Sequence, residues 1–505
     1  MKEKIKVSLI SLYSFDSFAV RGLFSVLEKE GIATNAIFLK DLKTNDIKKP
    51  TAKEIALLIE LLQREKPTIV AMSVRSPFRQ IAIELTDTIK SEFGVPIIWG
   101  GTDVILCPEE AIKYADAICL SEGERAISSL IKTMPTKTIT PVAGCWIKDG
   151  DRIIKGEKIE LEKDLDELAF PVRLHEKKSF IDDDKFKIDP ISFNTRYDIM
   201  ASRGCPFACS YCCSSSIMDI TGKGRRSMRV RSVDNVIEEL ALVKDELPHV
   251  KRVFFVDEIF GVNREWAREF SNKYRRQIGL PFMAELYPTT INSENVSLLS
   301  KAGMESVSVG IQSGDQKIRA EYLQRPVTDD QLLKSGTLLK EAGIRPTYDV
   351  IMDMPFTDER ELKKTLDLLL KLPRPYDLNL FSLVHFPKTP LTNRLLSNGT
   401  ITEDDIEGRN RKSWNQWRVS LDYERGDDVR FYGALISLLS KSFISKRLVL
   451  TFSKSNWLKN NPKTLIFIVD ISNLMKSAQR GASMLFRGQL NIKTIKRYVR
   501  SLAIR

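Results

Sequence analysis

The stretch Gly204-Cys205-Pro206-Phe207-Ala208-Cys209-Ser210-Tyr211-Cys212 sets three thiols at Cys-x-x-x-Cys-x-x-Cys spacing. A strand-like run at 198–201 comes just before it, which places the thiols on a loop leaving a strand. Thiolates are the soft ligands of iron–sulfur clusters, and three of them on a four-iron cluster leave one iron open to a substrate or cosubstrate. A zinc ion is the competing occupant. It needs a fourth ligand, and the candidates are Cys213, hard to aim at a metal held by its neighbour Cys212, or one of the remote histidines His175, His249 and His385.

Downstream of this loop, segments of helix and strand length alternate. Helices are expected at 232–245, 264–277, 293–302, 329–341 and 358–372, and strands at 252–256, 282–285, 306–310, 347–352 and 378–383. With 198–201 this makes six strands, the pattern of a barrel or partial barrel whose active face lies at the strand C-termini. The cysteine loop falls on that face. Upstream, strands at 6–10, 34–39, 68–74, 96–99 and 117–120 alternate with helices at 17–30, 52–65, 81–93, 109–115 and 124–134, which argues for a doubly wound parallel sheet. Such sheets bind ligands beyond their strand C-termini, here the small-residue loops 11–17, 73–76, 100–103 and 121–124. Gly100-Gly101 after a buried strand lets a flat or phosphate-bearing ligand approach the backbone, or simply makes a turn. A hairpin at 141–158 and an acidic stretch with Pro171 and Pro190 suit a connector. The expected units are an α/β domain at 1–136, a linker with a β-hairpin at 137–194, a barrel at 195–395 and a helical basic region at 396–505.

A chain of 505 residues with 43% hydrophobic and 29% charged residues buries several cores, which excludes a single small binding module and a disordered chain. Seven cysteines, an odd count with four crowded between 205 and 213, do not make a disulfide scaffold and point to reduced thiols in the cytoplasm. No export signal is expected, and the apolar stretch at 464–475 is broken by Asp470 and too short to span a bilayer. The net charge of +12 is unevenly placed: residues 430–505 hold fifteen Lys and Arg against one acid, Asp470. Helical periodicity runs through Leu435, Leu438, Leu439, Phe443, Ile444 and Leu448, and again through Ile492, Ile495, Tyr498, Val499 and Leu502. A basic amphipathic region of this kind caps a barrel with a solvated face, or lies on an anionic membrane with Trp457 as interfacial anchor. Nucleic acid is disfavoured because the tail lacks clear aromatic stacking platforms. Trp414 and Trp417 are placed to line a substrate mouth, or to pack.

At the cysteine loop the sequence resembles the radical S-adenosylmethionine (SAM) enzymes, whose signature is this spacing with an aromatic residue, here Tyr211, before the third cysteine. The resemblance implies a 4Fe-4S cluster on Cys205, Cys209 and Cys212, with SAM on the open iron and cleaved to a 5′-deoxyadenosyl radical. It also implies a backbone contact from Tyr211 near the adenine, and an electron donor such as a flavodoxin or ferredoxin. Asp257-Glu258 ends the second barrel strand where the family receives SAM's amino group, although acids also cap helices. Glu285 closes the third. Gly310-Ile311-Gln312-Ser313-Gly314 resembles the family's Gly-Ile-Glu-Ser-Gly, with Gln312 and Ser313 at the cofactor edge and an amide in place of the acid.

The α/β domain ahead of the barrel is similar to that of the cobalamin-binding subgroup. The similarity implies corrinoid contacts from Ser73, Gly100, Gly101, Glu122 and Gly123. The Asp-x-His-x-x-Gly motif that supplies an axial histidine in many cobalamin proteins is absent, since Phe18 follows Asp16 at the histidine position. Methylation of an unactivated carbon of a small molecule, lipid or peptide is the activity this resemblance implies. Two rivals stand beside it: a radical SAM cyclase or rearrangement enzyme with a vestigial cobalamin domain, and a zinc-stabilised nucleic-acid-binding protein.

Overall fold

A computed structural model describes residues 5–42, 48–134, 140–221, 228–406 and 425–486. Strands β1 (Lys6–Leu12), β2 (Ala33–Leu39), β3 (Ile69–Ser73), β4 (Ile97–Gly100) and β5 (Ala117–Cys119) run parallel in the order 5-4-3-1-2. Every residue from Val7 to Leu12 is buried, because helices cover both faces. Phe24, Leu27, Leu130 and Ile131 pack on one face, from the helices Phe18–Lys29 and Gly123–Thr133. Leu58, Leu62, Leu85 and Ile89 pack on the other, from Ala52–Glu65 and Arg79–Phe93. Strand order reverses between β1 and β3, and a doubly wound sheet opens its ligand crevice at that point.

The segment 137–194, expected to be a linker, does more than connect. β6 (Cys145–Asp149) and β7 (Arg152–Lys155) extend the sheet antiparallel beyond β5, while β8 (Lys178–Asp182) pairs parallel with β2 and β9 (Lys185–Lys187) antiparallel with β8. The run Asp182-Asp183-Asp184 reads as a solvated connector. It is a tight hairpin turn, with Asp183 at φ 50° and Asp184 at φ 59°, and aspartate tolerates this left-handed geometry better than most residues.

The second sheet starts at β10 (Arg196–Ile199). A separate two-stranded ribbon, β11 (Ser202–Arg203) with β12 (Arg229–Val230), flanks the cysteine loop. β13 (Arg252–Phe255), β14 (Phe282–Leu286), β15 (Met304–Gln312), β16 (Arg345–Ile351) and β17 (Asp377–Phe381) follow β10 in parallel, each beside the last. β17 does not pair with β10, so this is an open six-stranded barrel. Ser232, Asn263, Asn292, Thr328 and Asp358 each cap the start of an outer helix through the side chain.

Beyond the barrel, the helix Asp427–Leu439 buries Phe431, Leu435 and Leu438 and packs on Glu359–Lys371, and the helix Pro462–Phe486 packs on it in turn. The apolar run through Leu435 and Leu448 is two helices, not one, broken between Leu439 and Lys446. Three of the tail's lysines hold it to the barrel: the Lys446 ammonium donates to the carbonyls of Leu370 and Leu372, and Lys459 and Lys476 pair with Glu359 and Asp377. No described helix is long and apolar enough to cross a membrane. Trp414, Trp417 and the second amphipathic run lie outside the described residues.

Candidate active site

The cysteine loop leaves the barrel at the C-terminal end of β10 through β11. Asp257, completely buried behind it, accepts from the Ala201 N–H at 3.1 Å and from the Ser202 hydroxyl. Ser210 ties the loop's other side to a single π-helical turn, Ile318–Tyr322: its N–H donates to Leu323 O at 3.0 Å and its hydroxyl to Tyr322 O. The Leu391 N–H in turn donates to Ser210 O. The loop is thus held by backbone anchors at both ends. Cys212 immediately precedes the helix Cys213–Thr221, and the N–H groups of Ser214 and Ser215 hydrogen-bond its sulfur.

Cys205, Cys209 and Cys212 lie close enough that the charges of Cys212 and Cys209 act on Cys205, and that of Cys209 on Cys212. Among the described residues no three His, Cys, Asp or Glu side chains form a group that would hold a metal ion. Burial pushes the Cys205 thiol up to about 11 and the neighbouring Cys213 up to about 12. A bound cation must therefore draw the ligand protons off.

One participant that the sequence reading missed is Arg325. It is 6% exposed, its Nη1 lies 3.5 Å from the Cys209 sulfur, and its Nη2 donates to Gly310 O at 2.8 Å. Its guanidinium lies 4.0 Å from the ring centre of Tyr287, which stacks at 3.6 Å on Phe207 inside the cysteine loop. Arg325 is 116 residues from Cys209 in sequence and sits in no local motif, so only the fold brings it there.

Between the carboxyl ends of the first sheet and this loop lies a cavity of about 410 Å³. Ser73, Gly100, Gly101, Glu122 and Gly123 line it from the sheet; Met200, Arg203, Gly204, Ser214 and Met218 line it from the barrel. Glu258 reaches it as well. All five candidate corrinoid contacts thus meet at one opening, which Gly204 of the cysteine loop also lines. Two of them also have a structural task. Glu122 is the anchor of an interdomain ion-pair group: Arg203 and Arg229 both pair with it, and Arg203 also pairs with Glu124 at 2.7 Å. Gly101 has φ +104°, and a Cβ there would stand 2.6 Å from Val74 O, so that glycine is required by the strand end itself. None of the three histidines lines the cavity.

In the barrel, Asp257 is committed to the loop backbone and Glu258 is the exposed member of the pair. Burial lifts the carboxyls of Asp257 and Glu285 to about 7 each, with Asp349 and Glu258 adding repulsion at Glu285. Gln312 stands at φ 68° where the β15–β16 register shifts. Ser313 is fully buried and its hydroxyl donates to Glu361 at 2.7 Å; the Gly314 N–H donates to Thr365 at 2.7 Å. A Cβ on Gly314 would stand 2.2 Å from the Thr365 Cα. Ser313 and Gly314 thus fasten β15 to the helix Glu359–Lys371. Tyr211 is packed among core residues between the cysteine loop and the π-helical turn's cluster.

Residues 199–369 match the model of the radical SAM superfamily. A Pyrococcus horikoshii protein described as an uncharacterized methyltransferase is 24% identical over 63% of this chain and 67% of its own length. The anaerobic magnesium-protoporphyrin IX monomethyl ester cyclase of Cereibacter sphaeroides is 25% identical over 67% of this chain and 55% of its own. In structure, the cobalamin-dependent SAM radical enzyme OxsB, solved with aqua-cobalamin and SAM, superposes with a TM-score of 0.67 at 16% identity over 98% of this chain and 84% of its own. The matched segment contains the whole cysteine loop and the strands β13 to β16 that surround it, so residues 199–369 match as a radical SAM domain, and the two-domain fold around them is like that of OxsB.

Proposed function

We propose that this enzyme methylates an unactivated carbon, using a 4Fe-4S cluster on Cys205, Cys209 and Cys212, SAM, and a cobalamin seated in the interdomain cavity. One observation carries the reading: the cavity joins the switch-point crevice of the first sheet to the loop that carries the three thiols. When bound, the three groups supply hydrogen abstraction from carbon and delivery of a methyl group. The protein's part is to hold and to shield. Arg203 and Arg229 clamp the domains across Glu122 and fix the distance between the two cofactor sites. Glu258 and Glu285, at the mouth of the barrel, are the acids available to orient SAM's amine, while Arg325 offsets thiolate charge from behind. With no histidine on the cavity wall, a corrinoid there receives no imidazole from this chain.

The cyclase relative keeps the rearrangement reading alive as a second outcome. The match of residues 199–369 to the radical SAM superfamily weighs against the zinc-stabilised nucleic-acid-binding reading. The substrate is a small molecule, lipid or peptide, and a flavodoxin- or ferredoxin-type donor supplies the electron. Peripheral contact with a membrane through the basic C-terminal region belongs to the same proposal, supported by the exposed apolar side chains on its helices. The test is anaerobic reconstitution with iron, sulfide and cobalamin. Brown cluster absorption and a corrinoid band are expected in the wild type, and a product heavier by one methyl group in cell extracts. A product of unchanged carbon count would favour the cyclase reading. Retained SAM cleavage in Cys205→Ala, Cys209→Ala or Cys212→Ala would falsify the ligand assignment.

A further inference from the structure

Cys119 ends β5 and Cys145 starts β6, and the register of that antiparallel pair sets them directly opposite each other. The Leu120 N–H donates to Gly144 O at 2.8 Å, so the ladder bonds flank the two cysteines instead of linking them. At such a non-hydrogen-bonded position opposed Cα atoms are about 4.5 Å apart and the side chains lie at their closest. That spacing falls within the 4.4–6.8 Å or so that a disulfide spans. Both cysteines are free and both point into the same apolar cluster, where the Cys119 thiol donates to the Ser121 carbonyl at 3.7 Å. Their access to solvent differs: Cys145 is wholly enclosed, whereas Cys119 forms part of the wall of the interdomain cavity.

We infer that Cys119 and Cys145 are a disulfide-forming dithiol, oxidised by a peroxide that enters through the interdomain cavity and restored by a thiol reductant. The Cys119 sulfur attacks the peroxide O–O bond, becoming a sulfenic acid while one water leaves. The Cys145 sulfur then attacks Cys119, the S–S bond forms, the S–O bond breaks, and a second water leaves. Two thiols lose two protons and two electrons, and one peroxide becomes two waters. The Cys145 thiol also holds the Cys119 thiol below its ordinary pKa, which favours Cys119 as the first attacker. The bond would tie β5 to β6 immediately before the Ser121–Glu124 turn, whose two glutamates grip the barrel.

The experiment uses the full chain, reconstituted anaerobically with iron and sulfide but no cobalamin so that the cavity is open, exposed to hydrogen peroxide, unfolded in N-ethylmaleimide and mapped by mass spectrometry. A 119–145 cross-linked peptide lighter by two hydrogens is expected, converted to two alkylated peptides after dithiothreitol. Cys107, also buried but without a facing thiol, serves as internal control and should be modified roughly tenfold less. In Cys145→Ser, the sulfenic acid on Cys119 should persist long enough for dimedone to trap it. Full alkylation of both cysteines after peroxide, or Cys119 joined to a cysteine of the 205–213 loop, would overturn the inference on the wild-type protein alone.

Discussion

Arg325 shows how much a single buried charge can govern. A guanidinium that is 6% exposed and 3.5 Å from a ligand sulfur is worth far more than the same pair in water, because little solvent screens it. Removing it leaves the cluster loop more negative, and a more negative site accepts an electron less readily. Arg325→Gln should lower the cluster's reduction potential on the order of tens of millivolts, with Arg325→Lys between it and the wild type. A redox titration followed by electron paramagnetic resonance reads this without turnover; equal potentials in all three proteins would leave Arg325 a purely structural residue. Glu361 is the second residue with a legible charge effect. It is 2% exposed, accepts from Ser313 and Thr365, and burial raises its carboxyl to about 7. Between the unfolded and folded pKa the native state binds the extra proton, so stability is highest below about pH 4.5 for this group and is lost as pH rises toward 7. Unfolding free energies from urea titrations at pH 5 and pH 7 should differ by roughly 2 kcal/mol less in Glu361→Gln than in the wild type. An unchanged difference would show that Glu361 is ionised in the folded protein throughout.

Among the elements, the end of β4 is the most exacting. Gly101 sits at φ +104° with the Val74 backbone where a Cβ would go, so Gly101→Ala must move β3, β4 or both. A loss of more than about 2 kcal/mol in denaturant unfolding is expected, against less than about 1 kcal/mol for Gly150→Ala, a hairpin glycine at φ +59° with open space around it. Comparable losses at the two sites would mean that the clash is relieved at little cost. The sequence revealed the elements of both sheets to within a few residues, because their strands are apolar runs and their helices carry side-chain caps. It revealed the three thiols because their spacing is local. What stayed hidden depends on contacts distant in sequence. β8 and β9 are too short and too charged to read as strands, and gain their place only by pairing with β2. The hydrogen bond of Ser313 to Glu361 spans 48 residues, and no local pattern announces it. The pairing of Glu122 with Arg203 and Arg229 likewise crosses the domain boundary.

For the molecule as a whole, the C-terminal helices raise a question that the catalytic domains do not answer. The helix Pro462–Phe486 buries Leu465, Ile466 and Val469 on the barrel side, yet Phe467, Ile471, Leu474 and Met475 are 43–65% exposed at the 3–4 residue spacing of one helical stripe. Phe443, Leu448, Leu450 and Trp457 are exposed nearby in sequence, with Arg447, Lys454 and Lys463 also open to solvent and Asp470 the single acid of the region. Lys459, on the short helix Asn456–Asn460 just before the helix Pro462–Phe486, reaches Glu359 at the strand C-terminal side of the barrel and Lys476 reaches Asp377 at the start of β17, so the segment from Asn456 through Lys476 runs along the barrel flank from the mouth downward. An apolar stripe bordered by cations fits an anionic bilayer surface, where the flank would lie flat and the mouth would open at its edge. Full-length protein should co-sediment with phosphatidylcholine vesicles that contain phosphatidylglycerol, and less with phosphatidylcholine alone. Burying one Phe or Leu is worth about 1.5–3 kcal/mol, so the double variant Phe467→Glu, Leu474→Glu should bind at least roughly a hundredfold more weakly. It should keep the wild-type cluster absorption, since neither residue touches the site. Vesicle binding unchanged in that variant, or a dimer that dissociates in it, would assign the stripe to a protein partner instead.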